Sequence, residues 1–419
     1  MEINNLFYRS ISGIGVELSG IKPDRQCDIE RTILQASSLI DSGDRRILGL
    51  ILSWIKVHGN IVCVGKLKRI HEIELIGDPQ VISGLAFYAI SEGHHEWKKL
   101  NKNEIRAYLE SALKKKITPE RLELERKVLV ALKLIPKDYK YQEELLNLYT
   151  DQVGGYYDPE LEYFGTASWI PENMQVPIAF HELTHALQDQ HYDLDSFTDA
   201  KLTTDDLLAR SALAEGDASL AMLLVGKIRS EQGKDLTDSE IKSFSESTVK
   251  GSLESGKFTK TPMAITAQLV FPYAKGTEYV FNLFKEGKWK AVNAKYKTPP
   301  LGTSEIFGFK KEVLSEKEKS DLTCKSLTEN GEIIYEDTLG ALYLGFILGE
   351  NPLSGSLKDR WAGDRLCVVR NGNEESLIWG VRLKREVDKK AVERELEKKL
   401  EKGKVIVSDS GLVLVDIHL

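Results

Sequence analysis

The sequence predicts an α+β protein that is mainly helical, with a helical module at its N-terminal end and a small mixed unit at its C-terminal end. Three observations lead there. Apolar residues recur at three- and four-residue spacing through most of the chain. Clear strand patterns appear in GYYDPELEYFGTA and in the stretch after residue 375. The 419 residues, 42% hydrophobic and 29% charged, exceed one ordinary domain and carry enough apolar surface for a sizeable core.

IERTILQASSLIDS and RRILGLILSWIKVHG show helical periodicity, and so does SGLAFYAISEGHHEWKKL. Gly59-Asn60 breaks the second of these, and IVCVGKL fits either a strand or the start of a further helix. Residues 1–115 thus read as a mostly helical module, compatible with a winged-helix or other small interaction module. The charged stretch 101–125, with Lys114-Lys115-Lys116, reads as a solvated helix or linker and marks the start of a central domain, 116–350. There a helix leads to Gly154-Gly155. Tyr156-Tyr157, then Asp158-Pro159, then Leu161 to Phe164 read as two short strands around a turn. Pro177 is placed to open the helix IAFHELTHALQDQ, where its missing N–H is no loss. A second helix is expected from about Asp205 to Arg229, with Thr203 or Thr204 as N-cap and Asp205 and Asp206 in the positive first turn. More helix follows through 240–290. In the last unit, 351–419, SLIWGVRLK is a strand, VDKKAVERELEKKLEKG a charged amphipathic helix and KVIVSDSGLVLVDIH a hairpin.

Composition narrows the function classes. Acidic residues number 64 against 57 basic ones, a formal charge of −7, so nucleic acid is expected as a partner only, if at all, through the N-terminal module. The apolar runs fall short of the roughly 18 residues that a membrane span needs. The first twenty residues lack the basic start and unbroken apolar stretch of a signal peptide, so a cytoplasmic location is expected. Cys27, Cys63, Cys324 and Cys367 form no CxxC pair and read as four unpaired thiols in a reducing compartment.

The chemistry sits in His181-Glu182-Leu183-Thr184-His185, an HExxH motif. Histidines four apart on a helix lie only about 40° apart around its axis, so both imidazoles point at one locus. A Zn²⁺ can take both, while Glu182 sits beside the metal as the base for its bound water. The bland alternative is a pair of surface histidines. Phe180, Leu183, Ala186 and Leu187 argue for a buried helix, where unpaired imidazoles are expensive. Two residues compete for the third ligand. His191 completes the histidine spacing of the metzincins, but those need a glycine where this chain has Gln188, and on an unbroken helix His191 faces away. Glu215 lies in LLARSALAEGDASLAMLL on a face with Leu208, Ala212, Ala218 and Met222, where a carboxylate must neutralise or meet a cation. Gly216 costs about 1 kcal/mol in mid-helix, which a close approach to the HExxH helix would explain. Asp217 is a candidate acceptor for a histidine N–H, beside the plainer reading of an exposed helix aspartate. Two histidines plus a glutamate from a second helix is the gluzincin arrangement.

GGYYDP (154–159), FHELTHALQDQHYDL (180–194) and AEGDA (214–218) also carry a resemblance. The chain resembles a group of largely uncharacterised zinc metallopeptidases of bacteria and archaea. PYAKGTEYVFNLFKEGKW (272–289), TPP (298–300) and WAGDR (361–365) add to it more weakly. The resemblance covers roughly 120–390 and leaves the N-terminal module uncovered. It implies a zincin-like core, His181, His185 and Glu215 as zinc ligands, and Glu182 as base.

The expected reaction is metal-assisted hydrolysis of a peptide or protein substrate. The hairpin from Tyr156 to Gly165 is placed to offer a sheet edge to that peptide, with Tyr156 and Tyr157 as substrate or oxyanion contacts. Tyr192, Tyr273, Tyr279 and Tyr296 are the other oxyanion candidates. Trp361 and Gly363-Asp364-Arg365 read as a structural turn or as a cleft lining. A second reading stands beside the enzyme: an inactive zincin-fold binding or regulatory protein that keeps the metal as a staple, with its N-terminal module binding nucleic acid or protein.

Overall fold

Helical periodicity becomes helix along most of the chain, and the protein is α+β and mainly helical. The computed structural model describes every residue except 1, 17–20, 25, 42–44, 79–80, 83–84, 86–97, 159–162, 230–234, 255–260, 311, 329, 355–356, 401–402 and 409–411. The main elements, in chain order, begin with α1 (Glu2–Gly13), α2 (Ile29–Asp41), α3 (Arg45–His58), α4 (Val64–Glu74), β1 (Lys98–Leu100), α5 (Lys102–Lys116), α6 (Pro119–Ala131) and α7 (Tyr141–Gln152). There follow β2 (Gly155–Asp158), β3 (Tyr163–Ala167), α8 (Glu172–Tyr192), α9 (Thr204–Arg229), α10 (Asp238–Glu254) and α11 (Met263–Lys297). The last part holds β4 (Glu332–Asp337), α12 (Gly340–Ile347), β5 (Trp361–Asn371), β6 (Glu374–Leu383), α13 (Glu386–Lys399), β7 (Lys404–Val407) and β8 (Val413–His418). No helix among the described residues is long and apolar enough to cross a membrane. The chain divides into two compact units, 1–100 with 154–191, and 101–153 with 192–419. The expected boundaries at 115 and 350 both fall inside the second unit.

In the first unit α1 to α4 bury the apolar faces that their periodicity marks, with Phe7, Ile11, Ile33, Ile47, Ile51 and Trp54 in one cluster. IVCVGKL resolves toward helix: a single 3₁₀ turn at Gly59–Ile61, then α4. Buried Glu30 secures that start by accepting from Cys63 N at 2.8 Å and pairing with Lys66 at 2.8 Å. The hairpin expectation holds, since β2 and β3 pair antiparallel with Tyr157 opposite Phe164. Lys98–Leu100 was expected to be helical and is instead a strand, paired parallel with β3. Here pairing with a distant segment overrides local periodicity. Of the rest of that expected helix, Leu85 is helical and buried, and the other residues, His94-His95 included, lie outside the described residues. Pro177 does not open its helix. α8 begins at Glu172 and carries Pro177 inside its second turn, just past the four N-terminal residues whose N–H groups have no helical partner, so one ladder hydrogen bond is forgone.

In the second unit a five-stranded antiparallel sheet, ordered β4-β5-β6-β8-β7, accompanies the long helices. The expected strand, helix and hairpin of the C-terminal stretch are β6, α13 and β7-β8. α9 and α11 meet at Gly216 and Gly276. A Cβ on Gly216 would lie 2.3 Å from the Gly276 backbone, and one on Gly276 would lie 2.1 Å from Ala212 O. The mid-helix glycine is thus explained by contact with α11 rather than by the HExxH helix that the sequence suggested.

Two buried carboxylates, Asp337 and Asp205, seat the start of α9, and a third, Asp364, ties the neighbouring segment. Thr203 is the N-cap, its hydroxyl accepting from Asp206 N at 3.2 Å. Asp337 accepts from Thr204 N at 2.7 Å and Thr204 Oγ1 at 2.6 Å. Asp205 N donates to Thr338 O, while the Asp205 carboxylate accepts from Thr303 N at 2.8 Å. Asp364 accepts from the amides of Leu339 and Gly340 and from the indoles of Trp361 and Trp379, each at 2.8–2.9 Å. The WAGDR segment is therefore a buried structural tie. Nearby, Cys324 and Cys367 form a disulfide, and Cys27 and Cys63 are unpaired. This corrects the expectation of four unpaired thiols. The two partners are 43 residues apart in sequence, and their proximity exists only once β5 is built. The expected reducing compartment loses the support it drew from that pair.

Burial pushes the Asp205 carboxyl up from 3.8 to about 7, against the lowering effect of its bonds from Thr303. A raised carboxyl stabilises the fold fully below its unfolded value. That contribution is lost as pH climbs from about 4 to about 7, where the unfolded chain releases the proton first. The stability of the wild type minus that of Asp205→Asn should therefore fall by on the order of 3–4 kcal/mol across that window, read by urea unfolding. Gly216→Ala should destabilise by about 1–3 kcal/mol or more in the same assay, because α11 must move away.

Candidate metal centre

α8 carries His181 and His185 one turn apart, and the structure brings their rings together. Their Nε2 atoms are 3.0 Å apart and their centroids 4.7 Å apart at 84°. His181 is 8% exposed, so it holds its place in a largely dry setting. Thr184 stays with its own helix, donating to Phe180 O at 2.8 Å. Glu182, half-buried, follows His181 directly on the same turn. The Gln188 side-chain carbonyl lies 2.8 Å from His185 Nδ1.

His181, His185 and Glu215 each offer one ligand atom, and the three atoms lie within 4.8 Å of one another. This group can hold a metal ion. Imidazole nitrogen and carboxylate oxygen are donors that zinc takes at about 2.0–2.2 Å, so closing on an ion would draw the three atoms to roughly 3.4 Å of one another, and two neutral donors with one anionic donor suit a divalent cation. His191 is exposed and outside the group. α8 runs unbroken through Tyr192, as the absence of glycine at position 188 led one to expect.

Asp217, expected as an acceptor for a histidine, is 5% exposed and accepts from Tyr296 Oη at 2.8 Å. Burial first, then the charge of Asp217 that holds its proton, raises the Tyr296 hydroxyl well above the usual tyrosine value. Tyr192 stacks on Tyr296 with centroids 4.2 Å apart at 5°. Tyr279 donates to Glu305 at 2.7 Å. Among the tyrosines considered for an oxyanion, Tyr279 and Tyr296 thus hold carboxylates in place. Tyr156 and Tyr157 lie on β2, an edge strand of the order β1-β3-β2, and their side chains are outside the described part of the structure. His71, outside this group, donates from Nδ1 to Ile76 O at 2.7 Å.

Two features escaped the sequence reading. Gln188 was weighed only as the glycine it is not, though its three-residue offset from His185 on a helix was a usable signal. The Tyr296–Asp217 bond joins residues 79 apart in sequence and had no local signal. Compared with known proteins, the chain matches no family model, no curated protein and no solved structure.

Tyr296→Phe should cost about 1–3 kcal/mol of stability, because it takes a hydrogen bond from a buried carboxylate. Chemical denaturation of the two proteins side by side measures it.

Proposed function

We propose that this protein is a zinc-dependent metallopeptidase of the gluzincin type, built on a zincin-like core. The observation that carries the reading is the His181, His185 and Glu215 group, with Glu182 in the turn between the two imidazoles. These three residues would hold zinc. The ion, when bound, supplies a Lewis acid that brings the pKa of water down to about 7 and polarises the scissile carbonyl. Glu182 takes the proton of the attacking water and delivers it to the leaving amine. Among the described residues β2 is an edge strand, which suits a peptide bound as an added strand and makes extended segments the substrate class.

Elemental analysis should find one zinc per chain in the wild type and almost none in Glu215→Ala. Glu182→Gln should keep its zinc and lose at least about 10²-fold in casein cleavage. Equal cleavage by that variant would remove the peptidase reading. A metal-loaded wild type that cleaves nothing would leave the group as a staple.

A further inference from the structure

We propose that Gln188 is the positioning residue of this centre: its side-chain carbonyl holds the His185 imidazole with the proton on Nδ1, which reserves the Nε2 lone pair for the metal. The inference rests on the metal reading above and adds how the ligand is made ready.

A neutral imidazole carries one proton, on one of its two nitrogens. An amide carbonyl oxygen only accepts. The 2.8 Å contact from His185 Nδ1 to Gln188 Oε1 therefore places the proton on Nδ1. Nε2 is then the nitrogen with the lone pair, and it is the one that converges with His181 at 3.0 Å. A ring without this hold populates both tautomers, and the Nε2–H form cannot bind through that atom. Metal-bound histidines generally need such an acceptor on their second nitrogen.

The position is costly unless it has a task. Gln188 is 2% exposed. Fixing a buried glutamine costs up to about 2 kcal/mol of side-chain entropy, and its amide has to be satisfied as well. A leucine would fill a buried helix face without either cost. Residues three apart are neighbours on a helix, so the amide reaches the ring only because α8 continues through this point. A glycine here would let the chain turn His191 inward, but would offer His185 nothing. The acceptor is also neutral. It fixes the ring without adding a second negative charge to Glu215.

Long-range ¹H–¹⁵N correlation spectra of the metal-free full chain test the first half directly on the wild type. His185 should show a protonated Nδ1 and a bare Nε2. Titration with zinc chloride against a chromogenic chelator tests the second half. Gln188→Leu should bind zinc about 10–100-fold more weakly, and its His185 should shift toward the Nε2–H form. Gln188→Glu, which restores an acceptor at the same reach, should restore both. An Nε2–H ring in the wild type overturns the proposal, and so does Gln188→Leu binding zinc as tightly as the wild type while the wild type binds well. A wild type that takes up no zinc defeats the metal reading itself, and the role of Gln188 falls with it.

Discussion

The continuity of α8 is the constraint from which the centre follows. An unbroken helix repeats its faces at three- and four-residue offsets. His181 and His185 therefore share a locus, and Gln188 reaches back to the second ring. The same continuity leaves His191 exposed, six residues on. A helix that ran straight could not draw its third ligand from its own next turn. A third donor would have to come from elsewhere in the chain, and Glu215 offers one within 4.8 Å of the imidazole nitrogens.

A carboxylate offered to a cation is useful only if its own helix is held still. α9 is held at both levels that helices allow. Its first turn is seated by hydrogen bonds to Asp337 and Thr338, with its own Asp205 bonded onward to Thr303. Its middle is locked by backbone contact with α11 at Gly216 and Gly276, where neither helix has room for a Cβ. Directly after Gly216, Tyr296 fixes Asp217, two residues beyond Glu215. Burying carboxylates is unfavourable in itself. Here Asp205, Asp337 and Asp364 each have several donors aimed at them, which converts an expensive group into a directional tie between segments far apart in sequence.

Much of this was legible in the residues, and the reasons are local. The amphipathic helices, the β2-β3 hairpin and the C-terminal strand, helix and hairpin announce themselves by spacing and turn chemistry. HExxH needs nothing but a helix to bring its histidines together. Lys98–Leu100 was misread because three residues contain no period to read, and their strand exists through pairing with β3. Pro177 was misplaced because proline near a helix start is compatible with several start points, and the residues before it lack a strong cap. The glycine in EGDA was recognised as a close approach but assigned to the wrong neighbour, since a glycine records that a backbone is near without recording which one.

By itself, then, the sequence determined the mainly helical α+β class, the paired imidazoles with their adjacent glutamate, and the need of a carboxylate among apolar neighbours for a partner. Each of these depends on neighbours within about one turn of helix or a few residues of strand. The tertiary structure alone decided that Cys324 meets Cys367, that Tyr296 donates to Asp217, that Asp205 and Asp337 seat α9, and that the carboxylate of Glu215, which the sequence preferred over His191, comes near the histidines. Those pairings join residues dozens of positions apart. Their distances are set by how whole elements pack, which no local pattern encodes.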